Sequence, residues 1–149
     1  MLEMGSTMLS FHNKAFDFSR GLFTSDVMVN LPAYDPLVVF RGDAQGGAQV
    51  EAVHALVKHT ELPVFAFVDF DPAGLLIALN LPRLNEVLAP PLQNLEEAIQ
   101  SQGITSRYLE QVAAAPQAQK QIESDKCLSS LWKIIHSAGK ALPQEYFHS

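Results

Sequence analysis

The chain has 149 residues, 48% of them hydrophobic and 17% charged, with a formal net charge of −6. That length suits one domain with its own core, and that composition excludes an intrinsically disordered chain. The acidic balance excludes strong nucleic-acid binding by this chain alone, because neutralising phosphate charge dominates such affinity, but it leaves room for carboxylates that meet phosphate through a divalent cation.

Residues 1–36 carry Phe11, Phe16, Phe18, Leu22 and Phe23 without a clean period, and Asp26 to Leu31 reads as a short strand ended by Pro32. Leu37 to Phe40 is a continuous apolar run, suited to a strand buried on both faces. Arg41 to Gly47 forms a glycine-bearing loop, followed by a helix with Val50, Val53 and Val57 on one stripe. Val64 to Val68 is a second buried strand. Asp71-Pro72 then reads as an N-cap with proline at the first helical position, opening a helix over Ala73 to Asn80. This alternation predicts an α/β fold, a Rossmann-like parallel sheet with right-handed crossovers. Residues 83–149 read as a helical C-terminal region covering the sheet: one helix over Leu92 to Gln102 stopped by Gly103, one over Thr105 to Ala115, and one carrying Leu128, Leu131, Trp132 and Ile135. The lone Cys127 excludes an intramolecular disulfide and reads as a small buried residue in a helix. The first ten residues lack a signal-peptide pattern and no run approaches about 18 apolar residues, so a soluble, cytoplasmic protein with no membrane contact is expected.

Chemistry points to Asp69 and Asp71. Open α/β sheets bind ligands beyond the carboxyl ends of their strands. At a period of two, the two side chains point to the same side of an extended segment. Asp69 ends an apolar run, where a lone carboxylate is costly to bury, and a hard cation such as Mg²⁺ would remove that cost. The helix opening at Pro72 adds a positive dipole end that favours an anion. The bland alternative is that Asp71 is only an N-cap and that Asp-x-Asp carries no ligand.

The segment Val68-Asp69-Phe70-Asp71-Pro72-Ala73-Gly74 resembles the Asp-x-Asp-Pro-x-Gly motif of the Toprim family. It is closest to the branch of topoisomerase VI A subunits, meiotic double-strand-break proteins and the nuclease subunit of Wadjet plasmid defence. The order Leu37 to Gly42, helix 48–59 and Leu62-Pro63 follows that branch too, so the resemblance spans residues 10–82 of a single 1–149 domain. It implies a Toprim-like sheet, an Asp69/Asp71 pair that binds Mg²⁺, and DNA phosphates positioned for strand cleavage. The family also carries a catalytic glutamate at the end of its first strand. In Ser10 to Phe16 His12 stands in that place, and in Phe40-Arg41-Gly42 Arg41 does. Asn13, Lys14, Arg41, Gly42 and Asp43 are the corresponding candidates for phosphate or nucleic-acid contact. The DNA-cleaving relatives use a tyrosine on a separate winged-helix domain, which this length does not accommodate. The chain is thus expected as a fragment or subunit of a larger DNA-processing protein, reaching DNA through a partner domain, with homo-oligomerisation compatible.

Two readings follow: a Toprim-type Mg²⁺ module acting in DNA cleavage, or a catalytically degenerate Toprim fold kept for protein or nucleic-acid interaction. A haloacid-dehalogenase-type phosphotransferase, with Asp69 as nucleophile, fits poorly because Ala73 stands where that family has Thr or Val. Among the remaining residues, His54 on its apolar stripe is expected as a satisfied core histidine and Trp132 as core.

Overall fold

Strands made of continuous apolar residues need cover on both faces, and helices on either side supply it. In the computed structural model, which describes residues 7–11, 36–40 and 47–147, four strands form one parallel sheet. They are β1 (Thr7–Phe11), β2 (Pro36–Phe40), β3 (Val64–Phe67) and β4 (Leu84–Val87), in the spatial order β2-β1-β3-β4. The register aligns Phe11 with Phe40 on one side and with Phe67 on the other, so β1, β2 and β3 end together. Six helices stand among the described residues: α1 (Gly47–His59), α2 (Pro72–Leu79), α3 (Leu92–Gln102), α4 (Thr105–Ala114), α5 (Ala118–Ser124) and α6 (Ser129–Ala138). A short 3-10 helix, Gln144–Phe147, closes the C-terminal segment. The fold is mixed α/β, as the alternation of strand and helix signals predicts. No helix among the described residues is long and apolar enough to cross a membrane.

Two strands differ from the sequence reading. β1 lies within a segment whose aromatics show no period. β4 lies in the region expected to be mostly helical. Leu84-Asn85-Glu86-Val87 is short, with only Val87 buried, and it follows Arg83 at a left-handed φ of 56°. The β3–β4 register shifts between Val64 and Phe65, which pair with Leu84 and Glu86. Asn85 is the extra residue of this bulge, and its Oδ1 accepts the Val64 N–H at 2.8 Å in place of a ladder bond. The short helix α5 was also not anticipated, since Pro116 and an Ala/Gln-rich composition hide its stripe. The strand expected at Asp26 to Leu31 lies outside the described residues.

Two core clusters stand among the described residues. α1 places Val53 and Val57 against Val64 of β3, with Val39 of β2 alongside. The larger cluster joins Ala66 and Val68 to α2 through Leu75 and Ala78. It continues through Leu95 and Ile99 of α3, Ile122 of α5, and Leu131, Trp132 and Ile135 of α6. β3 is buried along its whole length. It is the interior strand from which the Asp69 segment emerges.

Gly74 sets how closely α2 approaches the strand end. A Cβ there would lie 2.1 Å from the Asp69 carbonyl oxygen and 3.0 Å from Asp71 Oδ1. The first obstacle is backbone, so relief would require moving the Asp69 segment or the first turn of α2. We therefore expect Gly74→Ala to lower stability by about 2–3 kcal/mol in urea unfolding. An unchanged midpoint would show that the helix start can shift freely.

Candidate functional site

The order β2-β1-β3-β4 reverses direction between β1 and β3, and such a switch point opens a crevice beyond the strands' carboxyl ends. Asp69 and Asp71 follow β3 at that end. Between them, Phe70 is fully buried and exchanges two backbone hydrogen bonds with Leu142, at 2.9 and 3.0 Å. Its ring meets Phe147 edge-on at 5.6 Å. Asp71 is extended (φ −149°, ψ 166°), so the segment turns both carboxylates to one side.

Arg107, in the first turn of α4, joins them. Its Nε donates to Asp71 Oδ2 at 2.9 Å and its Nη2 to Asp69 Oδ2 at 2.8 Å. Nη2 also lies 2.8 Å from Asp71 Oδ2, so a single cationic nitrogen sits equally close to both carboxylates. The remaining oxygens are held as well. Asp71 Oδ1 accepts the Gly74 N–H at 2.6 Å, and Asp69 Oδ1 accepts the Gln144 N–H at 2.8 Å. Gln111, one turn beyond Arg107, donates through Nε2 to Asp71 Oδ2 at 3.2 Å and accepts the Ala73 N–H at 2.9 Å.

These contacts correct one expectation. The start of α2 offers no open N–H to an external anion: Pro72 has none, Ala73 donates to Gln111, Gly74 to the Asp71 side chain and Leu75 to the Asp71 carbonyl. The anion at this helix terminus is Asp71 itself, in the N-cap role expected for it.

Asp71 is 1% exposed. Burial pushes its carboxyl above the usual range, and the neighbouring Asp69 charge adds to the push. The Gly74 N–H, Arg107 and Gln111 pull the other way by favouring the anion. Burial therefore sets the cost of this group, and the donors around it offset that cost.

α4 is held in place independently. Ile104, just before it, exchanges two backbone hydrogen bonds with Ala141 at 2.8 and 3.1 Å. Tyr108, next to Arg107, meets His136 Nδ1 at 2.7 Å through its hydroxyl, and His136 stacks on the buried Trp132. Segment 141–144 thus ties the strand end, at Phe70 and Asp69, to the start of the helix that carries Arg107.

Of the residues singled out from the sequence, Asp69 and Asp71 are brought together. His12, Asn13, Lys14, Arg41, Gly42 and Asp43 lie outside the described residues. Trp132 is core, as expected. One structural expectation needs correction. Cys127 stands in the turn before α6, half-buried, with Sγ 3.3 Å from the Asn85 carbonyl, because the helix begins only at Ser129. His54 is half-buried and its Nε2 has no partner among the described residues. Sequence reasoning missed Arg107, Gln111 and Gln144. Arg107 and Gln111 stand at i and i+4 on an expected helix, hence on one face, which was the available signal. Nothing local directs that face to the end of β3.

A parallel α/β sheet with a carboxylate pair and a guanidinium at its switch point is the class that fold and site define. The family profile described as "Domain of unknown function (DUF7281)" matches residues 24–148, and the chain belongs to that family. No curated protein and no solved structure matches it.

The cap and the ion pair of Asp71 are separable. Asp71→Ala strips acceptors from Gly74 and Gln111 and leaves Arg107 with Asp69 alone, and is expected to cost about 1–2 kcal/mol. Asp71→Asn keeps an acceptor for Gly74 and should cost less. Chemical denaturation of both variants checks this; equal losses would assign the effect to charge rather than to the cap.

Proposed function

We propose that the chain is a Toprim-like module whose Asp69–Asp71 pair binds Mg²⁺ and through it the phosphates of a nucleic acid, in concert with a winged-helix domain or subunit that contacts DNA. The observation that carries this reading is the convergence of Asp69 Oδ2 and Asp71 Oδ2 on one nitrogen of Arg107, 2.8 Å from each. Two carboxylate oxygens aimed at a single cationic point are the donor set of a hard-cation site. The strand order and the Asp-Pro-x-Gly segment with its obligatory close approach at Gly74 also support it.

The residues fit the ion. Mg²⁺ uses one or two carboxylates and takes its other ligands from water and phosphate, so a two-aspartate site suffices. No group of three or more His, Cys, Asp or Glu able to hold a metal stands among the described residues. Asp69 Oδ2 and Asp71 Oδ2 would hold it, while the Gln144 and Gly74 N–H groups fix the opposite oxygen of each carboxylate and so aim the pair. Bound there, Mg²⁺ would supply positive charge against phosphate oxygens. With a net charge of −6 the chain has little general attraction for DNA, which assigns that task to the partner.

One observation favours the second reading, a degenerate Toprim fold serving as an interaction module. All four carboxylate oxygens already accept hydrogen bonds, and Arg107 supplies the counter-charge.

Calorimetry with Mg²⁺ and Mn²⁺ separates them. Wild type should bind one ion, and Asp69→Asn/Asp71→Asn should not. Absence of binding at millimolar metal, with and without DNA, would remove the cation reading and leave the interaction module.

A further inference from the structure

Among the described residues, Arg107 is the cation that touches both aspartates, and its placement has a direct consequence for any other cation. Nη2 lies 2.8 Å from Asp69 Oδ2 and from Asp71 Oδ2, so it occupies the point on which those oxygens converge. A guanidinium and a metal ion cannot share that point. The side chain differs from the carboxylate it faces in one important respect: Arg107 is 34% exposed and Asp71 1%. Its Nη1 makes no hydrogen bond among the described residues. Arg107 can therefore leave by side-chain rotation, whereas Asp71 stays fixed by the Gly74 N–H and Gln111. The charges favour such an exchange. Two carboxylates against one guanidinium leave a net charge of about −1, which a divalent ion would cancel.

We propose that Arg107 is a resident counter-cation that competes with the divalent ion for Asp69 and Asp71. On this assignment, which rests on the cation reading above, the guanidinium holds the pair in the metal-free protein. When metal binds, it swings out and offers its planar donor edge to an anionic phosphate beside the site. Arginine suits both roles, since its fork matches carboxylate and phosphate alike. Gln111 stays on Asp71 throughout, keeping the start of α2 capped.

Two measurements test this. The first is calorimetry of Mn²⁺ on wild type, Arg107→Gln and Arg107→Lys, each first checked for a wild-type circular dichroism spectrum. Removing the competing charge should tighten metal binding by about tenfold or more in Arg107→Gln. Arg107→Lys, which keeps the charge, should stay near wild type. The second uses wild type alone and so does not depend on a variant folding. The chain has only four arginines, so the Arg107 side-chain ¹⁵Nε–¹Hε resonance can be followed during a Mg²⁺ titration. It should move as the ion pair with Asp69 and Asp71 breaks. Equal affinity in wild type and Arg107→Gln, or an unmoved resonance at saturating metal, would overturn the exchange while leaving the metal site standing. If no protein binds metal, the cation reading and this inference both fall.

Discussion

Two aspartates of like charge at the end of a buried strand are the constraint around which the molecule is organised. Asp71 is almost wholly removed from water, and its neighbour Asp69 carries the same charge. Such a pair persists only where donors and a counter-charge surround it. Arg107 supplies the charge, and the Gly74, Gln111 and Gln144 donors complete the shell. The donors come from three separate parts of the chain. The same polar contacts that satisfy the carboxylates therefore fix α2, α4 and the C-terminal segment against the end of β3.

Backbone geometry makes that arrangement specific. The absence of a side chain at Gly74 brings α2 against the Asp69 carbonyl, which lets one aspartate cap the helix while the other follows the strand. On the other flank, segment 141–144 bridges Phe70 to Ile104 through antiparallel pairs. A short stretch of chain thereby sets the distance between the carboxylates and the helix that carries their arginine. Apolar packing of α3, α5 and α6 holds this frame, but the polar contacts determine its register at the site.

The position of the site within the sheet matters for what it can do. A switch point concentrates strand ends and loops around an open crevice, and a carboxylate pair there can meet a ligand arriving from outside the sheet. The donors leave Asp69 Oδ2 and Asp71 Oδ2 facing a single cation while their partner oxygens are held by backbone N–H groups. On the reading proposed above, an acidic chain with a net charge of −6 would depend on a cation and a partner domain for its affinity for phosphate.

What the sequence determined by itself was local. Apolar runs at 37–40 and 64–68 mark strands, and 3.6-residue stripes mark α1 and α6, because packing against a core selects those periods directly. Asp71-Pro72 and the spacing to Gly74 show where a helix starts and which carboxylates share a side. The residue pattern alone did not mark β1 or β4, because four or five residues without alternation carry no strand period until a neighbouring strand pairs with them, and the Asn85 bulge breaks the remaining pattern of β4. Tertiary structure alone decided what faces the aspartates. Arg107 is 36 residues from Asp71, and Gln144 is 75 residues from Asp69. No periodicity encodes a contact at such separation; it arises where packed helices and paired strands bring remote donors to one buried charge.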